Sequence, residues 1–331
     1  MKSVVEPSLS LVRILAIAAI GASAIACSGS SDAGALPLDS GSASGDSGAS
    51  TDGGGDGGFA GDVSNDSSGD GGDPCDPPDM LIVLDRTMSM SKTPDGSTPG
   101  NTPAGHAKTK WSLAVEAVDK VTAAVDKTVR FGLELFPRDP GAGACVTLST
   151  LLSGTKSTNP SCEPGEIVVE PALATSSAIA AKVPIETTTL CQSTPIGAAF
   201  SLAATELAKV KAPPRKQFAI FVSDGGDTCG KKDDPILEVD KLAGAGVQTF
   251  IVSFDATAAS PGGVNLKLLN DLACAGHTAQ DFAKNCVASG TSYRAAPGLA
   301  GPIYLTATNQ DELIKHLNTA IGGVCCACGI K

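Results

Sequence analysis

The chain has 331 residues and a formal net charge of −11, with 42% hydrophobic residues and an aromatic share of only 4%. Most of the negative charge lies in residues 28–73, which contain nine Asp and no Lys, Arg or Glu. The rest of the chain is nearly neutral, which excludes a strongly basic nucleic-acid-binding protein, and three scattered His argue against a haem or His-rich metal protein.

Residues 1–27 have the pattern of an export signal. Lys2 and Arg13 flank an apolar run over 14–26, which has the length of a signal-peptide core and is short for a membrane span. The run ends in small residues before Cys27, as in a bacterial lipobox, where the cysteine is lipidated. We therefore predict an exported, membrane-anchored lipoprotein of the cell envelope. Ordinary signal cleavage that leaves Cys27 spare is the alternative.

Residues 28–74 are predicted to be a disordered linker. Gly, Ser and Asp dominate the segment, and this composition buries too little apolar surface to offset the entropy of ordering. Repulsion among the Asp side chains favours extended conformations. The alternative, a calcium-binding Asp/Gly repeat, is disfavoured because the segment has no fixed period and no EF-hand spacing.

Residues 75–331 alternate between predicted strands and helices. The clearest buried strands end at Asp85 and just before Asp224. In chain order the predicted elements are strand 80–85, helix 110–126, strand 129–137, strand 167–169, helix 175–183, a helix from Pro195, strand 217–223, helix 235–243, strand 247–254, helix 265–275, strand 303–306 and helix 310–321. The alternation predicts one α/β domain with a Rossmann-like, doubly wound, mostly parallel sheet flanked by helices. Residues 138–165 and 276–300 are predicted to be disulfide-bearing loop insertions.

Three predicted loops carry oxygen-bearing side chains at the edge of the sheet where open parallel sheets bind ligands. The first loop contains Asp85, Thr87 and Ser89, the second contains Thr194, and the third begins with Asp224. The order of the elements and these three segments resemble the von Willebrand factor A (VWA) domain. Its metal-ion-dependent adhesion site reads Asp-x-Ser-x-Ser, then a Thr on a later loop, then an Asp after the fourth strand.

The resemblance covers roughly residues 78–324 and implies that these five side chains hold a divalent cation. Thr87 stands where the family most often has Ser, so the loop gains a methyl group beside the metal shell. Carboxylates and hydroxyls suit Mg²⁺, or Mn²⁺ or Ca²⁺, and leave an open position for an acidic residue of a protein partner. The alternative is that Asp85 and Asp224 only end strands and cap turns.

The cysteines after position 27 are even in number, which suits disulfides in an oxidising compartment. The candidates are Cys75, Cys145, Cys162, Cys191, Cys229, Cys274, Cys286, Cys325, Cys326 and Cys328. The predicted pairs are Cys75 with Cys325 or Cys326, Cys145–Cys162, Cys191–Cys229 and Cys274–Cys286. A soft-metal cluster at the C-terminal cysteines is disfavoured, because no matching Cys-x-x-Cys or neighbouring His accompanies it.

We expect an adhesion or assembly module and not an enzyme. The chain has no nucleophile elbow, P-loop or dinucleotide-binding motif. His106, His277 and His316 are interpreted as surface residues, and Asp79 and Asp227 as solvated loop acids. Two alternatives remain: a structural lipoprotein whose metal site only stabilises loops, and a metal-dependent hydrolase that uses the carboxylate at the end of the first strand.

Overall fold

The computed structural model describes residues 76–141, 143–157, 161–213, 215–230, 233–254 and 265–327, with side chains as far as residue 323. The predicted signal segment, Cys27, the linker and Cys75 lie outside the described residues, as do Cys328 and the side chains of Cys325 and Cys326. No helix among the described residues is long and apolar enough to cross a membrane.

Strands and helices alternate along the described chain. The strands are β1 (Asp79–Asp85), β2 (Arg130–Phe136), β3 (Cys145–Thr147), β4 (Glu166–Ala172), β5 (Thr189–Cys191), β6 (Gln217–Ser223), β7 (Val247–Phe254), β8 (Cys286–Ser289), β9 (Ser292–Ala295) and β10 (Leu305–Ala307). The helices are α1 (Pro103–His106), α2 (Lys110–Val125), α3 (Leu148–Leu152), α4 (Ser176–Lys182), α5 (Ile196–Val210), α6 (Pro235–Gly244), α7 (Leu266–Ala275), α8 (Phe282–Asn285) and α9 (Gln310–Ala327). A 3₁₀ turn, Met88–Ser91, follows β1.

A six-stranded sheet with the order β10-β7-β6-β1-β2-β4 forms the centre of the fold. Neighbouring strands are parallel except β4, which runs antiparallel to β2 at the edge. Every residue of β1 and of β6 is buried, as expected for central strands with both faces covered. The predicted fold class, a mostly parallel sheet flanked by helices, is confirmed.

Helices pack on both faces of this sheet. On one face α2, α4 and α9 bury an apolar cluster that includes Trp111 and Leu317. On the other face α5, α6 and α7 bury a second cluster that includes Phe200 and Leu272. Helices therefore cover both faces of the sheet, and the loops at its strand ends begin from buried strands.

The two predicted insertions contain short elements that the sequence analysis did not predict. The first insertion contains β3, which pairs antiparallel with β5 farther along the chain, and the second contains β8 and β9, which pair antiparallel with each other. These strands have three or four residues each, too short for a clear hydrophobic period. The second insertion packs against α6 and α7, where Arg294 forms an ion pair with Asp240 at 2.7 Å.

Asp79, expected to be a solvated loop acid, is fully buried at the start of β1. Its Oδ1 accepts a hydrogen bond from Arg130 Nε (2.8 Å), and Arg215 Nη1 lies 3.6 Å from its Oδ2. The expectation is wrong because β1 lies in the middle of the sheet, where β2 and the segment before β6 supply the compensating guanidinium groups.

Glu134 is a fully buried acid within β2. Neither of its carboxylate oxygens has a hydrogen-bond partner in the described part of the chain. The carboxyl group packs against Gly165, where a Cβ would lie 2.2 Å from Glu134 Oε1. Burial, together with the charge of Glu206, raises the pKa of Glu134 well above its ordinary value of 4.5. The native state therefore holds the proton of Glu134 more strongly than the unfolded chain does.

We expect Glu134→Gln to raise the free energy of unfolding at neutral pH and to leave it nearly unchanged in acid. In the wild type the unfolded chain loses this proton above pH 4.5 while the native chain keeps it. Stability therefore falls as pH rises, by about 1.4 kcal/mol per pH unit until the native pKa is reached. Urea unfolding of both proteins at about pH 4 and about pH 7 measures the difference.

Glu163→Gln is the matched control. Glu163 is an exposed acid that pairs with Arg138, and its side chain is 45% exposed. This variant should keep the pH dependence of the wild type. A wild-type pH dependence in Glu134→Gln would contradict the raised pKa of this buried carboxyl group.

Candidate metal centre

Asp85 ends β1 at the carboxyl edge of the sheet, between β2 and β6. Its side chain is fully buried, and both of its oxygens are engaged. The backbone N–H of Thr87 donates to Oδ1 (2.7 Å), and the hydroxyl of Ser223, the last residue of β6, donates to Oδ2 (2.5 Å). These contacts fix the carboxylate at the point where two central strands end.

A chain of hydroxyl groups connects this loop with Asp224. Thr87 Oγ1 and Ser89 Oγ lie 2.8 Å apart, and Ser89 Oγ donates to Asp224 Oδ1 at 2.7 Å. The 3₁₀ turn after β1 positions Ser89, and Asp224 directly follows β6. Four of the five predicted ligands therefore form one connected group, because adjacent parallel strands end at the same edge of the sheet.

Lys110 also belongs to this group, although the sequence analysis did not predict it. It is the first residue of α2, and its Nζ donates to Asp224 Oδ2. The Lys110 side chain is 9% exposed and that of Asp224 is 1% exposed, so this is a buried ion pair. The only signal in the sequence was its place at the start of the helix that follows the Asp85 loop.

Thr194, the fifth predicted ligand, lies on the loop between β5 and α5. β5 is placed beside the first loop because the N–H of Cys191 donates to Arg86 O at 2.9 Å. Thr194 is buried, and its N–H donates to Thr228 Oγ1 (2.7 Å) while its carbonyl oxygen accepts from Thr228 N (3.0 Å). The second and third predicted loops are therefore in direct contact.

Asp227, expected to be a solvated acid, is half-buried between these two loops. Its Oδ1 accepts from Ile196 N and its Oδ2 accepts from Gly230 N, both at 3.1 Å. Burial raises its pKa above the ordinary value, and these hydrogen bonds act in the opposite direction. Asp227 thus caps the first turn of α5 and orders the loop after β6.

The two carboxylates of the site influence each other. Burial, and next the negative charge of Asp224, raise the pKa of Asp85 to about 7, against hydrogen bonds from Ser223 and Thr87 that lower it. The site therefore favours a nearby positive charge, and Lys110 supplies one.

The donor atoms of the site suit a hard cation. Carboxylate and hydroxyl oxygens are the protein ligands that Mg²⁺, Mn²⁺ and Ca²⁺ prefer. The described residues contain no group of three or more His, Cys, Asp or Glu side chains arranged to hold a metal ion. The predicted ligand set has only two acids, Asp85 and Asp224, beside the hydroxyl residues Thr87, Ser89 and Thr194, and it stays a prediction.

Three disulfides lie in the described part of the chain, and only one matches a predicted pair. Cys274–Cys286 is confirmed. The predicted pairs Cys145–Cys162 and Cys191–Cys229 are wrong, because these cysteines form Cys145–Cys191 and Cys162–Cys229 instead.

The register between β3 and β5 explains this difference. Cys145 lies directly opposite Cys191 in that antiparallel pair, with a Cα–Cα distance of 4.1 Å. Cys162 follows α3 and lies against the loop after β6 that contains Cys229, with a Cα–Cα distance of 5.6 Å. Both disulfides thus cross-link the first insertion to loops of the candidate metal centre.

His106, expected at the surface, is buried instead. Its Nδ1 lies 2.8 Å from Glu186 Oε2, and its Nε2 lies 2.7 Å from Asn101 Oδ1. It joins the segment between β1 and α2 to the turn before β5. His277 and His316 are partly exposed.

No protein-family model matches the chain, and no curated protein matches it in sequence. Solved structures with a similar course of the chain include proximal thread matrix protein 1 from the mussel byssus, at 13% identity and a TM-score of 0.44. That alignment covers 75% of this chain and 48% of the mussel protein, so the chain spans about half of its length. Another structure of the mussel protein is described as having a zinc-occupied MIDAS motif.

Two further solved structures have a similar fold of the chain. A von Willebrand factor type A protein from Catenulispora acidiphila has 13% identity and a TM-score of 0.42 over 73% of this chain and 41% of that protein. Manganese-loaded TRAP protein from Plasmodium vivax has 13% identity and a TM-score of 0.44 over 73% of each chain. VWA-type proteins are thus among the structural neighbours, at identities that describe the fold alone.

We expect a brief treatment with a phosphine reductant under native conditions to open Cys162–Cys229 before Cys145–Cys191. Cys162 is exposed and Cys229 is partly exposed, whereas Cys145 and Cys191 are buried. Reduction requires access to a sulfur atom, so burial protects the second pair. Alkylation followed by mass measurement of peptides identifies the cysteines that react first.

The same treatment in denaturant is the control, because unfolding removes the difference in access. Both disulfides should then open at similar rates. Earlier labelling of Cys145 and Cys191 in the native protein would contradict the described burial, and peptides that join Cys145 to Cys162 would contradict the pairing.

Proposed function

We propose that this domain binds a divalent cation through Asp85, Thr87, Ser89, Thr194 and Asp224 and presents it to an acidic group of a protein partner. The supporting observation is the connected group at the carboxyl edge of the central strands, in which Thr87 N–H donates to Asp85 and the hydroxyls of Thr87 and Ser89 lead to Asp224. A cation held there would supply positive charge and an open coordination position for a carboxylate. The role would be adhesion or assembly.

The exposure of the site supports access from one side. Ser89 and Met88 on the first loop and Gly226 on the third loop are partly exposed. The second insertion packs against α6 and α7. A partner could therefore approach over the first and third loops.

A second candidate function is a metal site that only stabilises the loops. Burial favours it, since Asp85, Thr87, Thr194 and Asp224 are each at most 5% exposed. In that case every coordination position of the cation is filled from within the chain, and no partner carboxylate is bound.

We also propose that the protein is exported and held at the membrane by a lipid on Cys27. The signal-like first 27 residues support this, and so do the three disulfides, because disulfides persist in oxidising compartments. An extended linker would then separate the domain from the membrane surface.

We propose no catalytic role. A metal-dependent hydrolase would need a base positioned beside the cation. His106, the buried histidine, has both ring nitrogens engaged by Glu186 and Asn101, which supports a structural role for it.

We expect Mn²⁺ to raise the thermal midpoint of the wild type. The affinity of Asp85→Asn for Mn²⁺ should be lower by about tenfold or more, since this variant loses a charged ligand. Asp95→Asn is the matched control, because Asp95 is an exposed acid of the segment before α2. It should respond to Mn²⁺ as the wild type does. Equal Mn²⁺ responses in the wild type and in Asp85→Asn would contradict the ligand assignment.

Water-proton relaxation of the Mn²⁺-loaded protein separates the two candidate functions. An open coordination position binds exchanging water, which enhances relaxation, and a short Glu-containing peptide should displace that water and reduce the enhancement. The matched Gln-containing peptide should have no effect. Thermal stabilisation by Mn²⁺ with no response to the Glu peptide would favour the structural function and contradict recognition.

A further inference from the structure

The candidate metal centre contains a cation from its own chain. Lys110 Nζ donates to Asp224 Oδ2, and both side chains are buried. A buried ammonium group loses its hydration and persists only where a carboxylate compensates for that loss. The pair is therefore an internal part of the site, unlike the exposed lysine contacts elsewhere on the surface.

The two carboxylate oxygens of Asp224 accept hydrogen bonds from different partners. Oδ1 accepts from Ser89, which belongs to the hydroxyl path, and Oδ2 accepts from Lys110. Asp85, the other carboxylate, has its two oxygens on Thr87 N and the Ser223 hydroxyl. Lys110 is thus the group that compensates for the negative charge shared by the two buried acids.

The same charge is what a divalent cation would use. A cation bound beside Asp224 would lie close to the ammonium group of Lys110. The two positive charges would repel each other, because a buried site screens charge poorly. Lys110 lies at the first position of α2, and four rotatable bonds separate its Cα from the ammonium group.

We propose that Lys110 is the internal counter-ion of the metal-free site and competes with a divalent cation for Asp224. The inference rests on the metal-binding function proposed above. Without metal, Lys110 holds Asp224 in place and the loops keep their arrangement. When a cation binds, Lys110 loses its hydrogen bond to Asp224 Oδ2. Breaking this ion pair lowers the affinity for the cation, which makes Lys110 the residue that sets the metal concentration at which the site fills.

Mn²⁺ titration of the full chain, followed through the electron paramagnetic resonance signal of free Mn²⁺, tests this role. Lys110→Met should bind Mn²⁺ about tenfold or more tightly than the wild type, and Lys110→Arg, which keeps the charge, should bind as weakly as the wild type. Lys241→Met is the matched control. Lys241 pairs with Glu238 at 2.6 Å on α6, and the Glu238 side chain is only 7% exposed. Its loss removes the same charge away from the site.

The outcomes distinguish the inference from the function on which it rests. Equal affinity in the wild type and Lys110→Met, together with weaker binding by Asp224→Asn, would overturn the role of Lys110 and leave the metal site in place. Absence of binding in all of these proteins would overturn the metal site and the inference together. Tighter binding in Lys241→Met as well as in Lys110→Met would assign the effect to net charge and overturn the specific role.

Thermal unfolding in chelator and in Mn²⁺ provides a second measurement. Lys110→Met should have a lower midpoint than the wild type in chelator, because Asp224 is then buried without its partner. Mn²⁺ should raise the midpoint of the variant by more than it raises that of the wild type. An increase no larger than in the wild type would contradict the inference.

Discussion

The burial of two carboxylates at the ends of adjacent central strands is the constraint on which the site depends. Asp85 and Asp224 follow β1 and β6, and burial with the charge of Asp224 raises the pKa of Asp85 to about 7. Charged groups in such positions need hydrogen bonds and opposite charge to remain buried. The hydrogen bonds come from Ser223 and Ser89, and the opposite charge comes from Lys110. Each of these residues belongs to a different element of the fold.

The disulfides belong to the same arrangement. Cys145–Cys191 ties the first insertion to β5, which contacts the loop after β1, and Cys162–Cys229 ties it to the loop after β6. Loops that hold oxygen ligands gain precision when they cannot move independently. The sheet therefore fixes the positions at which the loops begin. The two disulfides restrict how far each loop can move relative to the first insertion.

The fold class and the closeness of Asp85 to Asp224 could be predicted from short-range patterns in the sequence. Buried runs such as residues 80–84 predict central strands, and parallel strands bring their carboxyl ends together, which places Asp85 and Asp224 in one site. The contact between Lys110 and Asp224 spans 114 residues and depends on the angle at which α2 begins, which no local pattern encodes. The pairing of Cys145 likewise depends on the register of two three-residue strands.

The one departure from the expected metal motif has a local explanation. Thr87 has an extended backbone (φ −79°, ψ 161°) and forms an isolated parallel bridge with Cys191 of β5. β-Branched residues favour extended backbone, so Thr at this position stabilises the conformation that brings β5 beside the first loop. Its hydroxyl still reaches Ser89 at 2.8 Å. The additional methyl group thus accompanies a backbone pairing that the fold uses, while the hydroxyl of Thr87 stays in contact with Ser89.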